Sequence, residues 1–389
     1  MTELKIISEG KDNGDGVIMS GRTRRGTDIY CLGVPLFYSM GGDWDLGPTW
    51  CYVIAGEKVT LVDTGQFGKF DVLKTMLEKA GFSLKDIERV IVTHGHEDHD
   101  GNIPEVIEAT GAKLWAHFAY ENMVAYYPGI NDGAARPDFP GSCRCCLLPD
   151  KFNASCRSYH QKRSHLKVDQ VVGDGTVSFK GDFRFISTPG HSPDAICTIL
   201  EDEVVFTGDT ILATITPHPS LMLEYLVNWR ILPSQCATEN TSYGLMVYIK
   251  SINEVKTRCA EIDLLLPGHR LYEKGRINLL KPVERAEEII RFHKERCTNI
   301  LGIMREKVMG LEEISIELFP PRLREGFGRF LSQREVMSHL ELMAECGDIT
   351  WVDKNNFASR ATGSSNYRDF FNRYISEVPN SKLQATNNK

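Results

Sequence analysis

One short segment constrains the fold of this chain more than any other. An apolar run, 89–93, ends in four potential metal ligands within six residues: His94, His96, Asp98 and His99. If a strand ends here and passes into a helix, two imidazoles point together while the carboxylate and the last imidazole turn to a second position. Imidazole and carboxylate donors suit Zn and tolerate Fe or Mn, with no thiolate required. The segment predicts a metal centre at the end of a strand.

Three more segments repeat this arrangement of an apolar run, a glycine and a potential ligand. They end in His191, Asp209 and His269, each directly after a glycine. Glycine lets the backbone turn sharply and keeps side-chain bulk away from an ion. Because these ligands follow strand ends, we expect them to gather along one edge. Asp209, a carboxylate between two groups of histidines, is predicted to bridge two ions.

The first 280 residues alternate short apolar runs with amphipathic segments, which is typical of an α/β domain. Between 123 and 171 this alternation gives way to an irregular stretch, which we interpret as a long loop insertion that folds over a site. Strands are predicted at 29–36, 49–54, 59–62, 89–93, 113–116, 183–187, 195–200, 204–207 and 264–266, and helices at 69–80, 103–110 and 251–260.

A second, smaller domain is predicted after Pro282, where a long amphipathic helix begins. A short helix at 311–318, a longer one at 330–345 and a hairpin at 349–361 follow it. This order is the outline of a winged helix. The chain therefore divides into 1–281, 282–378 and a polar tail, 379–389.

The ligand segments resemble those of the metallo-β-lactamase superfamily, whose hallmark is His-x-His-x-Asp-His followed by a spaced His, Asp and His. The resemblance covers about residues 29–280 and implies an αββα sandwich. It also implies that Asp63, in a matching early motif, supports the ligands from behind. Carried over by position, the resemblance assigns His94, His96 and His191 to one ion, Asp98, His99 and His269 to a second, and Asp209 to both.

Composition excludes several broad classes. The net charge of -7 argues against an extended nucleic-acid surface, although it leaves room for a local basic patch. No apolar stretch approaches the roughly 18 residues of a membrane span. The N-terminus lacks the apolar core of a secretory signal, and eleven cysteines, an odd number over a long chain, favour reduced thiols. We expect a cytoplasmic protein.

Several other side chains are candidates for catalysis or binding. His218 follows Asp209 closely and is expected to face the pocket, where it binds substrate or moves a proton, or else has a structural role. Tyr272 is a candidate hydrogen-bond donor to an oxyanion, with a place at the core edge as the alternative. Asp98 is expected to orient or receive a proton as well as bind metal. Two further clusters are Arg270, Lys274 and Arg276, a possible phosphate site, and Cys143, Cys145, Cys146 and Cys156, a weak zinc motif.

The function that these features favour is a dinuclear metal-dependent hydrolase. Two adjacent ions polarise a carbonyl and activate a shared water for attack. The resemblance extends to glyoxalase II-like hydrolases with a small C-terminal helical domain, some of which hydrolyse thioesters and some of which cleave RNA. We therefore expect an acyl thioester or lactone as substrate, and a homodimer is possible. The alternatives are a metal-dependent endoribonuclease, a mononuclear iron persulfide dioxygenase, and a DNA-binding regulator.

Overall fold

Two sheets form the body of the molecule in the computed structural model, which describes residues 3–37, 44–125, 158–178, 182–221, 232–236, 239–304, 307–353, 356–359 and 365–375. The first sheet has eight strands in chain order, antiparallel from β1 to β5 and parallel from β5 to β8. They are β1 Lys5–Ser8, β2 Ile18–Arg22, β3 Asp28–Val34, β4 Thr49–Ala55, β5 Val59–Val62, β6 Ile87–Ile91, β7 Lys113–Ala116 and β8 Gln170–Val171.

The second sheet has four strands in the order β12-β11-β10-β9, of which β11 and β12 are parallel. Alternate residues of β11 face opposite sides, since Val204 and Phe206 pack between the sheets while Val205 packs outward. Both faces of this sheet are therefore covered, and its strands are continuous apolar runs. The four strands are β9 Phe183–Ser187, β10 Ile196–Leu200, β11 Val204–Gly208 and β12 Leu264–Pro267.

Helices cover the outer face of each sheet. Leu73 and Leu77 of α1 and Val106 of α2 pack on the first sheet, while Ile249 and Ile252 of α6 pack on the second. The layers are helix, sheet, sheet, helix, so the predicted αββα sandwich is confirmed. The helices of this part are α1 Phe70–Lys79, α2 Ile103–Thr110, α3 Tyr120–Val124, α4 158–163, α5 Glu239–Ser242 and α6 Leu245–Arg258.

The C-terminal region shares its core with the second sheet. One continuous cluster of buried side chains joins Val205 and Leu265 of the sheet to Ile290 and Ile300 of the first C-terminal helix and to Leu340 of a later one. The helices of this region are α7 Pro282–Met304, α8 Leu311–Leu318, α9 Phe327–Cys346 and α10 Asn366–Asn372, and its sheet has the order β15-β17-β16, formed by β15 Val308–Gly310, β16 Ile349–Trp351 and β17 Asn356–Ser359.

The predicted helix, helix and hairpin of this region are present, with the hairpin strands antiparallel. Its classification as a winged helix, and the domain boundaries drawn from the sequence, stay predictions. A short hairpin, β13 Tyr272–Glu273 and β14 Arg276–Ile277, precedes it. Among the described helices, none is both long and apolar enough to cross a lipid bilayer.

The sequence-based assignment missed several features of the fold. Strands β1 and β2 were not predicted, and α6 begins six residues before the expected start at Ser251. The predicted insertion 123–171 contains the helix at 158–163 and strand β8, so only part of it is irregular. Residues 126–157, with the four cysteines of the possible zinc motif, lie outside the described residues.

Candidate metal centre

All seven predicted ligands lie together at one end of the sandwich, in loops that follow strands β6, β9, β11 and β12. The ligand atoms form three groups, and within each group they all lie within 4.8 Å of one another. Strand register explains this convergence, because β11 pairs in parallel with β12 and their carboxyl ends meet at the same edge. The groups are His94, His96 and His191; His94, His99 and Asp209; and Asp98, His99 and His269.

The spacing of the ligand atoms fits one ion at each histidine group. Two ligands bound to a tetrahedral ion at about 2.0–2.1 Å lie about 3.3 Å from each other. His94 Nε2 and His96 Nδ1 are 3.0 Å apart, and His269 Nε2 is 3.1 Å from Asp98 Oδ2. The residues present therefore suit divalent metal ions.

Asp209 faces both groups with different oxygens. Its Oδ2 lies 3.5 Å from His191 Nε2, while its Oδ1 lies 3.3 Å from His99 Nε2 and 3.7 Å from His269 Nε2. Within the described ranges, neither Asp209 Oδ1 nor His99 Nε2 makes a regular hydrogen bond, although both atoms are buried. A buried polar atom without a hydrogen bond is energetically costly. An ion bound between these two atoms would satisfy both of them.

Charge pairing holds the ligand cluster in its ionised form. Burial raises the pKa of Asp209, but His269 and His99 outweigh it and hold that pKa well below its ordinary value. Burial lowers the pKa of His99, yet Asp209, Asp98 and Asp63 raise it well above the usual range. Binding of cations in place of these protons preserves the same charge balance.

Groups behind the ligands fix the orientation of the imidazole rings. His99 Nδ1 lies 2.8 Å from Oδ2 of Asp63. The Asp63 carboxylate also accepts hydrogen bonds from the backbone N–H of Thr93, at Oδ1, and from the Thr93 hydroxyl, at Oδ2. His269 Nδ1 lies 3.0 Å from the carbonyl oxygen of Pro48. A ring that donates through Nδ1 presents Nε2 to the centre, so these contacts select the ligand tautomer. Asp63 therefore lies where the resemblance predicts a supporting residue.

Glycine is required beside the centre. A Cβ atom on Gly268 would lie 2.6 Å from Asp209 Oδ1 and 2.7 Å from His99 Cε1. Both distances are below van der Waals contact, so a side chain here would displace two ligands. The predicted role of the strand-end glycines is confirmed at this position.

A buried ion pair behind the ligand segment was missed by the sequence analysis. Arg163 Nη1 donates to the carbonyl oxygen of Gly95 and lies 3.0 Å from Asp100 Oδ2, which also accepts a hydrogen bond from Tyr120. On its other side, Gly95 donates its N–H to Asp194. The backbone between His94 and His96 is thus held from two directions. Arg163 lies in the stretch interpreted as a loop, so its sequence position gave no signal.

Comparison with known proteins agrees with this geometry. Residues 44–269 match the family model described as the metallo-beta-lactamase superfamily. This chain belongs to that superfamily. Solved structures with the same fold include a metallo-beta-lactamase family protein, TTHA1429, from Thermus thermophilus (20% identity, 85% of this chain and 98% of the other, TM-score 0.57) and a beta-lactamase domain protein from Burkholderia ambifaria (18%, 91% and 96%, 0.62).

Curated relatives of this superfamily member include hydrolases. An atrochrysone carboxyl ACP thioesterase, dmxR1, from Cryptosporiopsis is 27% identical over 56% of this chain and 54% of its own. The probable metallo-hydrolase YflN from Bacillus subtilis is 30% identical over 50% and 68%, and YqjP from the same species is 24% identical over 81% and 92%. The chain thus spans about half of the length of the thioesterase.

The metallo-β-lactamase domain and the C-terminal helices enclose a cavity of about 420 Å³ between them. His191 and Asp209 line one part of it. We use the name arginine end for the part of the lining where Arg296, Arg334, Glu335 and His218 contact one another. The rest of the lining is mainly apolar and is formed by Trp44, Leu46, Leu212, Ile215, Ile289, Phe292, Phe319, Leu323 and Leu331.

His218 lies on the cavity wall, as predicted from its position after Asp209. Its Nε2 is 3.3 Å from Glu335 Oε2, and burial, together with His339 and Arg296, lowers its pKa well below the ordinary value. His218 is therefore a neutral imidazole in this environment. Glu335, on α9, has its pKa raised to about 7 by burial, although Arg296 acts in the opposite direction.

Two other predicted groups are placed elsewhere by the structure. Tyr272 is buried in the core between the two sheets and is not among the residues that line the cavity, so the prediction of an oxyanion donor is not supported. Arg270 is buried and pairs with Glu273 and the carbonyl of Asp45, while Lys274 is 85% exposed. Arg270 is therefore already paired with a carboxylate, and the phosphate site predicted at Arg270, Lys274 and Arg276 stays a prediction.

Two histidines outside the predicted site, His293 and His339, belong to a hydrogen-bonded chain beside the cavity. His293 Nδ1 lies 3.0 Å from His339 Nε2, and His293 Nε2 lies 3.0 Å from the hydroxyl of Thr216. His339 Nδ1 in turn lies 2.6 Å from the carbonyl oxygen of Glu335. These contacts link the loop that contains Thr216 to α7 and α9. No local motif in the sequence marks them, because they join segments far apart in the chain.

Proposed function

We propose that this protein is a dinuclear metal-dependent hydrolase that cleaves a carbonyl substrate, preferably an acyl thioester or a lactone. The observation that carries the proposal is the position of Asp209, whose two oxygens face two different groups of imidazoles. One ion cannot use seven ligands, since zinc accepts about four to five. A shared carboxylate between two groups is the arrangement expected for a pair of ions.

The residues have separate tasks in this proposal. Two bound divalent ions supply Lewis-acid polarisation of a carbonyl and an activated water nucleophile. His94, His96 and His191 hold one ion, and Asp98, His99 and His269 hold the other. Asp63 and the Pro48 carbonyl keep the Nε2 atoms of two imidazoles directed at the centre. Zn is the expected metal, with Fe or Mn as alternatives.

The cavity supports a carbonyl substrate with an apolar acyl part. It reaches from His191 and Asp209 along a mainly apolar wall, so a bound acyl chain would lie beside the ligands and exclude water from them. The match to a fungal protein described as a carboxyl ACP thioesterase is consistent with this substrate class. The named activity belongs to that relative, whereas for this chain it is part of the proposal.

The alternative functions have less support. In a nuclease or DNA-binding regulator that uses a winged helix, a helix of that module must be free to enter a groove. The long helix α9 instead has buried residues on all sides, among them Arg334, Val336, Ser338 and Leu340. A mononuclear iron dioxygenase would leave the second ligand group, with Asp98 and His269, without a task.

The deciding experiment couples metal analysis to a substrate panel. Protein prepared with Zn, Fe or Mn should contain close to two ions per chain and release free thiol from acyl thioesters in a metal-dependent way. Labelled single-stranded RNA, assayed at the same metal loading, should remain intact. Full activity with one ion, or RNA cleavage without thiol release, would refute the proposal.

A further inference from the structure

Arg296, at the arginine end, differs from its neighbours in how its guanidinium is used. Arg285 donates to the carbonyl oxygens of Leu212 and Ile215 and to Glu288, so each of its nitrogens has an acceptor. Arg296 contacts Glu335 through Nε, at 2.7 Å from Oε1. Within the described part of the chain, no hydrogen bond reaches either of its Nη atoms.

Two aromatic rings hold the guanidinium of Arg296 in place. Its Cζ lies 5.2 Å from the ring centroid of Phe292 and 5.1 Å from that of Phe319. Contacts with aromatic faces and with Glu335 restrict the side chain of Arg296 to one orientation. This side chain is 19% exposed. All three contacting residues also line the cavity. The Nη atoms are therefore preorganised hydrogen-bond donors at the cavity wall.

The charge at this end of the cavity is positive. Arg296 and Arg334 lie there with Glu335, which is the one acidic side chain among the described residues of the cavity lining apart from Asp209 at the metal centre. His218 adds no charge, because its imidazole is neutral. A cation surrounded by apolar walls is poorly solvated, so an anion that enters the cavity gains more there than at an exposed surface.

We propose that Arg296 binds an oxyanion group, a carboxylate or a phosphate, on the part of the substrate remote from the bond that is cleaved. This inference rests on the proposed function and adds a substrate class to it. Paired N–H groups of a guanidinium match two oxygens of either anion. The anion can be a carboxylate at the far end of the acyl chain or a phosphate on the thiol arm.

The test uses two matched pairs of thioesters. The first pair is octanoyl and ω-carboxyheptanoyl N-acetylcysteamine, and the second is octanoyl pantetheine and octanoyl phosphopantetheine. The native protein should cleave the anionic member of one pair with a kcat/KM about 10- to 100-fold higher, the factor expected for a charge-assisted hydrogen bond. The pair that shows the preference identifies the source of the anion.

Arg296→Gln should abolish this preference, so that the ratio of kcat/KM for the anionic and neutral members of the pair falls to about one whatever the absolute rates. Arg296→Lys keeps a charge next to Glu335 and should restore part of the preference, which guards against misfolding of the first variant. Arg291→Gln is the matched control, since Arg291 is on the same helix but is 41% exposed and pairs with Glu287. Thermal unfolding of each variant reports its fold.

A binding measurement separates this inference from the proposed hydrolysis. Suberate and phosphopantetheine are titrated into the metal-loaded protein by calorimetry, where no reaction occurs. Binding that is lost in Arg296→Gln and kept in Arg291→Gln supports the anion site even if no thioester is cleaved. Hydrolysis without preference in either pair, or equal effects of the two substitutions, would overturn the inference.

Discussion

The metal centre and the arginine end belong to the same cavity but are built in different ways. Four of the seven ligands come from one segment, 94–99. The other three follow strands of the second sheet. The arginine end is assembled from α7 and α9, whose residues are separated from the ligand segment by about two hundred positions. Only folding of the whole chain brings Arg296, Glu335 and His218 together.

This difference indicates a division of labour. The ligand positions are set by sheet register and by supporting contacts such as Asp63 to His99, and none of the seven ligands comes from the C-terminal helices. Recognition at the arginine end depends on those helices and can change without any change in the ligands. Truncation and substitution can test whether the two regions are separable.

Removal of residues 282–389 should prevent stable folding, although no predicted ligand lies there. Burial of an apolar side chain contributes about 1.5–3 kcal/mol, and loss of Ile289, Ile290 and Ile300 with their neighbours would remove about 10 kcal/mol or more. A whole domain has only about 5–15 kcal/mol of stability. Circular dichroism and gel filtration check this outcome. A soluble, metal-loaded truncated protein would show that the metal centre is independent of the arginine end.

Asp209→Ala should lower the hydrolysis rate by about 10³-fold or more and reduce the content of both ions, because the lost oxygens face both groups. Asp98→Ala should mainly empty one site. Metal analysis by mass spectrometry distinguishes these outcomes, with Asp263→Ala, an exposed aspartate, as the control. Equal metal loss from the Asp209 and Asp98 variants would contradict the bridging role.

Asp63→Asn should weaken metal binding by about 10- to 100-fold, the usual effect of changing a residue that supports a ligand. The amide removes the charge opposite His99 Nδ1 while preserving size. Competition with a chelator measures the affinity, and Asp71→Asn, exposed on α1, is the control. An unchanged affinity would mean that the ring of His99 is oriented by its packing alone.

Glu335→Gln should remove a pH dependence of stability that arises at the arginine end. The pKa of Glu335 is raised from 4.5 to about 7 by burial, despite Arg296, and His218 is the other group that faces its carboxyl. The folded state therefore binds more protons than the unfolded state in this range, so stability falls as pH rises from 4.5 to 7.

We expect the free energy of unfolding of the native protein to fall by about 1–3 kcal/mol relative to the Glu335→Gln variant across that range. Urea unfolding at several pH values measures this difference. Glu325→Gln, on an exposed carboxylate, should run parallel to the native protein. A native protein that gains stability relative to Glu335→Gln as the pH rises would show that Arg296 dominates the ionisation of Glu335.

The metal centre was predictable because its information is local. Histidine and aspartate at this spacing after an apolar strand are typical of metal sites, and Gly268 and Asp63 follow the same strand-end pattern. Sheet layers and most strands were predictable for a similar reason, since alternation and apolar runs report burial. The missed strands β1 and β2 contain Ser, Lys, Arg and Gly among their apolar residues, which weakens that signal.

The rest of the site could not be predicted because it depends on tertiary contacts. Arg163, Arg296 and Glu335 are charged residues in helical or irregular segments, where exposure is the ordinary expectation. Tyr272 and Arg270 are the opposite case. Their closeness to His269 in sequence suggested a place at the centre, with the core edge as the alternative for Tyr272, and the structure has Tyr272 in the core and Arg270 in an ion pair with Glu273.

The shared core of the second sheet and α7 also has a consequence during synthesis. All strands of the two large sheets leave the ribosome before Pro282, so the part of the outer apolar face of the second sheet that α6 does not cover remains exposed until α7 has emerged. We expect nascent chains that end near residue 281 to bind chaperones and resist native-like compaction. Completion of the sandwich then depends on the synthesis of α7, rather than on the order of its strands.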